Sequence, residues 1–420
     1  MYCHCVLKST LFLKEHEMSF SAEFFDQSIN RRDSDSVKWN LYGEDVLPMW
    51  VADMDFRSPP AVIEALHHRV EHGVFGYTMD SPQLRELIVE RMARLYHWSV
   101  SADQILFLPG LVPALFVMGR AFGQPGQNML TTTPIYPPFL MAPGQFDLSL
   151  NTVPMALTID GSRLNYEFDF DALEAAVTPQ TRMLLLCNPH NPIGHVYRRD
   201  ELERLAEFCE KHDLLLCSDE IHCDLILTER PHIPIASLSP EISARTITLM
   251  APSKTFNIAG LSCSFAIIQN PELLQQLRTA TFGLLPFVNL IGYQAATAAY
   301  AGGQEWLDGL LPYLRDNRDT LTDAVEKVLP ELRITCPEGT YLAWLDFRET
   351  GLKDPYQHLL TQGKVATSNG KDFGQGGEGF LRFNFGCPRS QLEEAVARIR
   401  MALDTPEVEM QPGVSVFDNH

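Results

Sequence analysis

Six short apolar runs are spaced along residues 104–269 of this 420-residue chain: QILFLPG, NMLTTTP, RMLLLCNP, LLLCSDE, TITLMAPS and SFAIIQ. Between several of them lie amphipathic stretches such as RDELERLAEFCEKHD (199–213), where apolar and charged residues alternate at helical spacing. A continuous apolar run is a strand buried on both faces. A helix between two such strands returns the chain so that they can pair in parallel. The pattern predicts an α/β fold, a mostly parallel sheet covered by helices on both faces.

The two ends read differently. Residues 18–60 are polar and contain Pro, and residues 306–403 mix helical stretches (WLDGLLPYLRDNRDTLTDAVEKVL, SQLEEAVARIRMAL) with strand-like TYLAWLDF and GFLRFNF. The expectation is a second, smaller α+β domain assembled from both ends of the chain. Its N-terminal part spans 18–60 and its C-terminal part 301–420, around a large domain at 61–300. The length suits two domains. MYCHCVLKSTLFLKEHE is unlike the rest of the chain, and MSFSAEFFDQ from Met18 reads as a natural start. Residues 1–17 are therefore expected to be a disordered extension with no role in the fold.

Charge and cysteine usage narrow the function. A formal net charge of -20 repels phosphate backbones, so nucleic-acid binding is disfavoured as a main role. The nine cysteines show no disulfide-scaffold spacing, and Cys3 and Cys5 lack a second ligand pair for zinc. Reduced thiols and a cytoplasmic location are expected. Residues 279–304 carry no charge, but Pro286, Asn289, Gln294 and several Gly interrupt them. They are read as a helix buried in the core or at a subunit interface rather than as a membrane span.

In open α/β sheets, ligands bind beyond the carboxyl ends of the strands. After QILFLPG a helix starts at LVPALF, and free N–H groups at such a start can hold a phosphate. After NMLTTTP, Tyr136 sits in a Pro-rich turn, where it can stack on a flat heterocycle or pack over the sheet edge. NPHNPIG follows RMLLLC and offers Asn donors and acceptors, although Asn-Pro also favours a plain turn. Asp219 ends an apolar strand, where it is either a helix cap or a carboxylate in need of a cation, and His222 follows. Lys254 stands in APSKTFNIAG between apolar sequences. A buried lysine avoids its desolvation cost by losing its charge or by condensing with an aldehyde. An imine to a pyridine aldehyde would need a partner for the ring nitrogen, and Asp219 can supply it.

With these residues in place, the sequence resembles a fold-type I pyridoxal-phosphate enzyme of the class I/II aminotransferase superfamily. More closely, it resembles the MalY/PatB-type cystathionine β-lyases. The resemblance rests on LPMWVADMDFRSPPAVIEAL, GVFGYT, PIYPPF, NPHNPIG, SDEIHCDL, SKTFNIAGL and FLRFNFGCPR, and it covers nearly the whole chain from about Met18. It implies a large domain with a mostly parallel seven-stranded-type sheet, a smaller α+β domain, and pyridoxal 5′-phosphate as cofactor. It further implies that Lys254 forms the imine and Asp219 pairs with the pyridine nitrogen. Asn191 would contact the ring hydroxyl, Tyr136 stack on the ring, and Arg382 bind the substrate carboxylate. Ser253 and the backbone near Leu111 and Val112 would hold the phosphate. Tyr77 would reach the phosphate of a neighbouring subunit in a homodimer with shared active sites.

Two positions depart from the broad aminotransferase pattern. His222 replaces a Tyr, which leaves its contact to the ring hydroxyl open, and Ser262 replaces an Arg, which implies a phosphate with less fixed positive charge. Both resemble the β-lyase subset. The implied reaction is α,β-elimination on cystathionine, cysteine or another S-substituted cysteine, giving pyruvate, ammonia and a thiol. An aminotransferase uses the same pocket and the same carbanion, and a regulatory protein-binding module that keeps the cofactor as support is a third reading. No membrane association is expected.

Overall fold

A computed structural model describes residues 20–407. The extension expected at residues 1–17, with Cys3 and Cys5, lies outside the described residues. Seven strands form the large sheet: β1 (Ile105–Leu108), β2 (Asn128–Thr133), β3 (Ser149–Pro154), β4 (Thr181–Cys187), β5 (Leu215–Asp219), β6 (Thr246–Met250) and β7 (Ser264–Ile267). Their order is β1-β7-β6-β5-β4-β2-β3. Only β7 runs against its neighbours. The six apolar runs are six of these strands. The seventh, β3, carries polar and partly exposed residues at the sheet edge, so the apolar pattern does not include it.

Strand geometry sends successive side chains to opposite faces. Met183, Leu185, Leu215 and Cys217 therefore pack with Leu115 and Met118 of the helix Leu111–Phe122 and with Leu277 of the helix Pro271–Thr281. Leu184, Leu186, Leu214 and Leu216 pack on the other face with Leu202, Leu205 and Phe208 of the helix Arg199–Lys211. Two-sided burial is why these runs are apolar without alternation.

A second, six-stranded sheet is built mostly from the C-terminal part. Phe380–Asn384 and Arg333–Thr335 flank Leu342–Asp346, and all three pair antiparallel. A hairpin from the middle of the chain, Ala156–Asp160 with Arg163–Glu167, extends this sheet through a parallel contact with Arg333–Thr335. The helices Gln304–Lys327 and Arg389–Leu403 pack against it. The N-terminal segment joins the same body, with Leu47–Pro48 pairing in parallel with Val365–Ala366. Phe25 is fully buried against Phe56, Trp306 and Tyr313.

A buried ion group anchors that N-terminal segment. Asp55 accepts from Arg31 at 2.6 Å and from Lys38 at 2.7 Å, and Lys38 also donates to the Asp53 carbonyl at 3.0 Å. Burial alone would push the Asp55 carboxyl up, but Lys38 and Arg31 hold it below the usual carboxylate range.

The uncharged stretch 279–304 is not one helix. The helix Pro271–Thr281 ends inside it, and the next turn leaves Phe282 and Phe287 exposed. The half-buried helix Leu290–Gly302 then begins, its N-cap Asn289 accepting from Gly292 N–H. Among the described residues no helix is long and apolar enough to cross a membrane.

Candidate active site

Parallel strands bring their carboxyl ends to one edge, and β7, running the other way, brings its amino end there too. A cavity of roughly 340 Å³ opens at this edge, within the range of small-ligand sites. Lys254, Asp219, Asn191, His222, Tyr136, Ser253, Leu111 and Val112 all line it. Ser262, Cys263 and Ser264 enter it from the start of β7.

Lys254 keeps part of its surface toward the cavity while protein surrounds its amine. Burial lowers the amine to about 8. The Asp53 carboxylate partly offsets this, Arg382 adds to the lowering, and Asp219 opposes it. The amine donates to the Ala52 carbonyl at 2.6 Å. Asp219 is pushed up to about 7 by burial, against the Ile221 N–H that it accepts at 3.1 Å and against Lys254. An amine and a carboxyl that both titrate near neutrality, facing one cavity, form a pair suited to proton chemistry.

Arg382 reaches this site from the second sheet. Its Nη1 donates to Asn191 Oδ1 at 3.1 Å, and its Nη2 donates to the Trp50 carbonyl at 2.9 Å and to Ser368 Oγ at 3.1 Å. No carboxylate of the described residues ion-pairs with it. Its buried Nε has no acceptor, and burial pulls the guanidinium down to about 10. An unpaired buried cation is costly, so this is a place for an anionic ligand.

His222 is buried and stands edge-on to Tyr341, with its Nδ1 unpartnered. Burial, then Lys254 and Arg382, hold it well below the usual imidazole range, so it is neutral. Behind the cavity His190 links two of the loops. Its Nε2 donates to the Pro134 carbonyl at 2.7 Å, which leaves Nδ1 to accept from Tyr197 at 2.8 Å. The loop bearing Tyr136 is thereby tied to the loop bearing Asn191. Tyr77 stands apart on the segment after the helix Pro60–His72 and is fully exposed.

These residues fit pyridoxal 5′-phosphate piece by piece. Lys254 offers an amine for the aldehyde, Asp219 a carboxylate for the ring nitrogen, and Tyr136 an aromatic face. The first-turn N–H groups of Leu111 and Val112 have no intrahelical acceptors and, with the Ser253 hydroxyl, suit the phosphate. Among the described residues, Lys254 is the one Lys or Arg that lines the cavity. Among the described residues no group of three or more His, Cys, Asp or Glu could hold a metal.

Four contributors escape a reading by strand ends: Ala52, Trp50, Tyr341 and Ser368. The first two act through backbone carbonyls, which leave no trace in side-chain type. Their segment does stand out in the sequence as LPMWVADMDF.

The family model of aminotransferase class I and II matches residues 44–399. Cystathionine beta-lyase PatB of Bacillus subtilis is 39% identical over 393 residues, covering 90% of this chain and 99% of that protein. A crystal structure of OvoB superposes with a TM-score of 0.86 at 45% identity, covering 91% of this chain and 100% of that one. Cystalysin from Treponema denticola, whose crystal structure contains a pyridoxal 5′-phosphate cofactor, gives 0.85 at 35% identity over 90% and 98%. The fold is that of fold-type I pyridoxal-phosphate enzymes. Within that class the chain belongs to the aminotransferase class I and II family.

The raised Asp219 carboxyl has a consequence for stability. The cofactor-free fold holds a proton there that the unfolded chain has already released, so this contribution is complete below the unfolded value of 3.8 and is lost as pH rises through about 7. Asp219→Asn removes the titration. Cofactor-free Asp219→Asn should lose less stability than the wild type between about pH 5 and pH 8 in urea unfolding. Equal losses would contradict the burial of that carboxylate.

Proposed function

We propose that the protein is a pyridoxal-phosphate-dependent carbon–sulfur β-lyase. Its substrate is cystathionine, cysteine or another S-substituted cysteine, and its products are pyruvate, ammonia and a thiol. The observation that carries the reading is the facing pair Lys254 and Asp219 in one cavity with an unpaired guanidinium behind it. The near full-length similarity to a cystathionine β-lyase supports this chemistry over others on the fold.

A bound pyridoxal 5′-phosphate would supply an electron sink for the pair left at Cα. The chain does the rest. Lys254 Nζ, with a value of about 8, is partly neutral near pH 7 and takes the Cα proton. As an ammonium, Nζ is then the donor placed to return a proton to the departing sulfur. Asp219 would hold a proton at the ring nitrogen. Asn191 would contact the ring hydroxyl, with neutral His222 lining the same cavity, and Tyr136 would stack on the ring. Ser253 and the N–H groups of Leu111 and Val112 would hold the phosphate. Arg382 exchanges Asn191 Oδ1 and the Trp50 carbonyl for the substrate carboxylate, which it can bind bidentately.

A homodimer completes this reading. Tyr77, Met79 and Phe75 form an exposed segment beside the helix Pro60–His72, and Phe282 and Phe287 form a second exposed apolar turn. A second copy seated on these surfaces would cover apolar area and bring Tyr77 to its neighbour's phosphate. The seven described cysteines are free and six are buried, in keeping with a reducing cytoplasm.

Two measurements check the reading. Purified protein should release pyruvate from cystathionine with no keto acid added, and Lys254→Ala should lose that activity by at least about a thousandfold. Strict dependence on a keto acid would instead mark an aminotransferase, and near-normal turnover by Lys254→Ala would remove its role. Sedimentation should show a dimer, whereas a fully active monomer would refute the shared site.

A further inference from the structure

Tyr341 belongs to none of the motifs that mark the site, yet it meets the Lys254 amine through one shared atom. Its ring is fully buried and edge-on to His222. Its hydroxyl donates to the Ala52 carbonyl at 2.8 Å, and Lys254 Nζ donates to the same oxygen at 2.6 Å. A carbonyl oxygen has two lone pairs, and here the hydroxyl fills one and the amine the other. Burial, then the Asp53 carboxylate, hold the hydroxyl protonated well above its usual range, so it remains a donor.

The turn that presents Tyr341 is held from both sides. Thr340 has φ of +68°, a conformation that a β-branched residue rarely adopts. Its N–H donates to the Leu225 carbonyl at 2.8 Å. Glu338 and Gly339 donate their N–H groups to the Gly194 carbonyl at 2.8 and 3.0 Å, in the loop that carries Asn191. The Glu338 carboxylate accepts from Val196 N–H at 3.1 Å and pairs with His195 at 3.3 Å and with Arg230. Such local strain persists where the surroundings over-determine it, and here it places one hydroxyl.

We propose that Tyr341 is a positioning residue for the Lys254 amine. By filling the second lone pair of the Ala52 carbonyl it fixes that carbonyl, and the carbonyl holds the amine at one point whenever the amine is free of the cofactor. The proposal rests on the reading of Lys254 as the group that takes the Cα proton. In that step the Cα–H bond breaks, its electron pair stays on carbon, and the proton goes to the Nζ lone pair. A lysine side chain has a flexible four-carbon stem, so an amine without a fixed seat spends less of its time at reacting distance.

Tyr341→Phe keeps the ring and removes the hydroxyl. Its kcat should fall about tenfold while KM changes less than about twofold, and the isotope effect with Cα-deuterated substrate should rise. The cofactor-free variant should also capture added pyridoxal 5′-phosphate about tenfold more slowly, as followed by visible absorbance. An unchanged isotope effect and capture rate would overturn the proposal. A double variant separates positioning from general support. In Lys254→Ala rescued by added methylamine, Tyr341→Phe should leave the amine-dependent rate unchanged, because no tethered amine remains to be held. A further fall there would show that Tyr341 acts elsewhere and would also overturn the proposal. If Lys254→Ala exchanges the Cα proton at the wild-type rate without added amine, the reading of Lys254 itself fails, and this proposal with it.

Discussion

Taking the Lys254 amine and the Asp219 carboxyl out of water costs free energy that each recovers only in part from the other. The amine falls to about 8 and the carboxyl rises to about 7, each moved first by burial. Two groups left this way store a demand for a ligand that meets both. An aldehyde removes the charge problem of the amine by condensing with it, and a protonated ring nitrogen supplies the cation that the carboxylate lacks. Arg382 repeats the theme at the substrate end, as a buried guanidinium whose hydrogen-bond acceptors are a carbonyl, an amide oxygen and a hydroxyl, none of them charged. The cavity is thus built for a ligand that is cationic at one end and carries anions at two others.

The rest of the architecture serves to hold those groups still. Five loops carry them to one edge because the strands are parallel and β7 is reversed. The N-terminal segment 50–56 is then laid across that edge and pinned by its carbonyls. Trp50 accepts from Arg382, and Val51 and Asp53 accept from Asn384 at 2.6 and 2.7 Å. Ala52 accepts from Lys254 and Tyr341, and Met54 and Phe56 accept from Asn257 at 2.9 and 2.8 Å. Asn257 adopts φ of +55°, a region that Asn tolerates better than most side chains. The same stretch therefore supplies the lysine and, three residues later, the clamp that holds the segment facing it.

The legible part of this design follows from strand ends. Lys254, Asp219, Tyr136 and Asn191 could be singled out because each follows an apolar run, and Leu111 and Val112 because a helix starts there. Polar residues at such places contradict their surroundings, and the contradiction is the signal. Ala52 and Trp50 carry no such signal, because their backbone carbonyls are common to every residue. Tyr341 was hidden for a different reason, since TYLAWLDF reads as one more buried strand. Ser368 owes its contact to register with Arg382 across a sheet whose pairing the sequence does not reveal. The uncharged stretch 279–304 misleads by composition alone. Its apolar residues divide between the end of one helix, an exposed turn and a half-buried second helix.

The central claim is that one amine, at position 254, carries the cofactor. Reduction of the cofactor-saturated protein with borohydride, followed by peptide mass spectrometry, tests it directly. The account predicts a single stable pyridoxyl-phosphate adduct, on the peptide containing Lys254. An adduct on another lysine, or an unmodified Lys254 in protein that retains the cofactor, would contradict it.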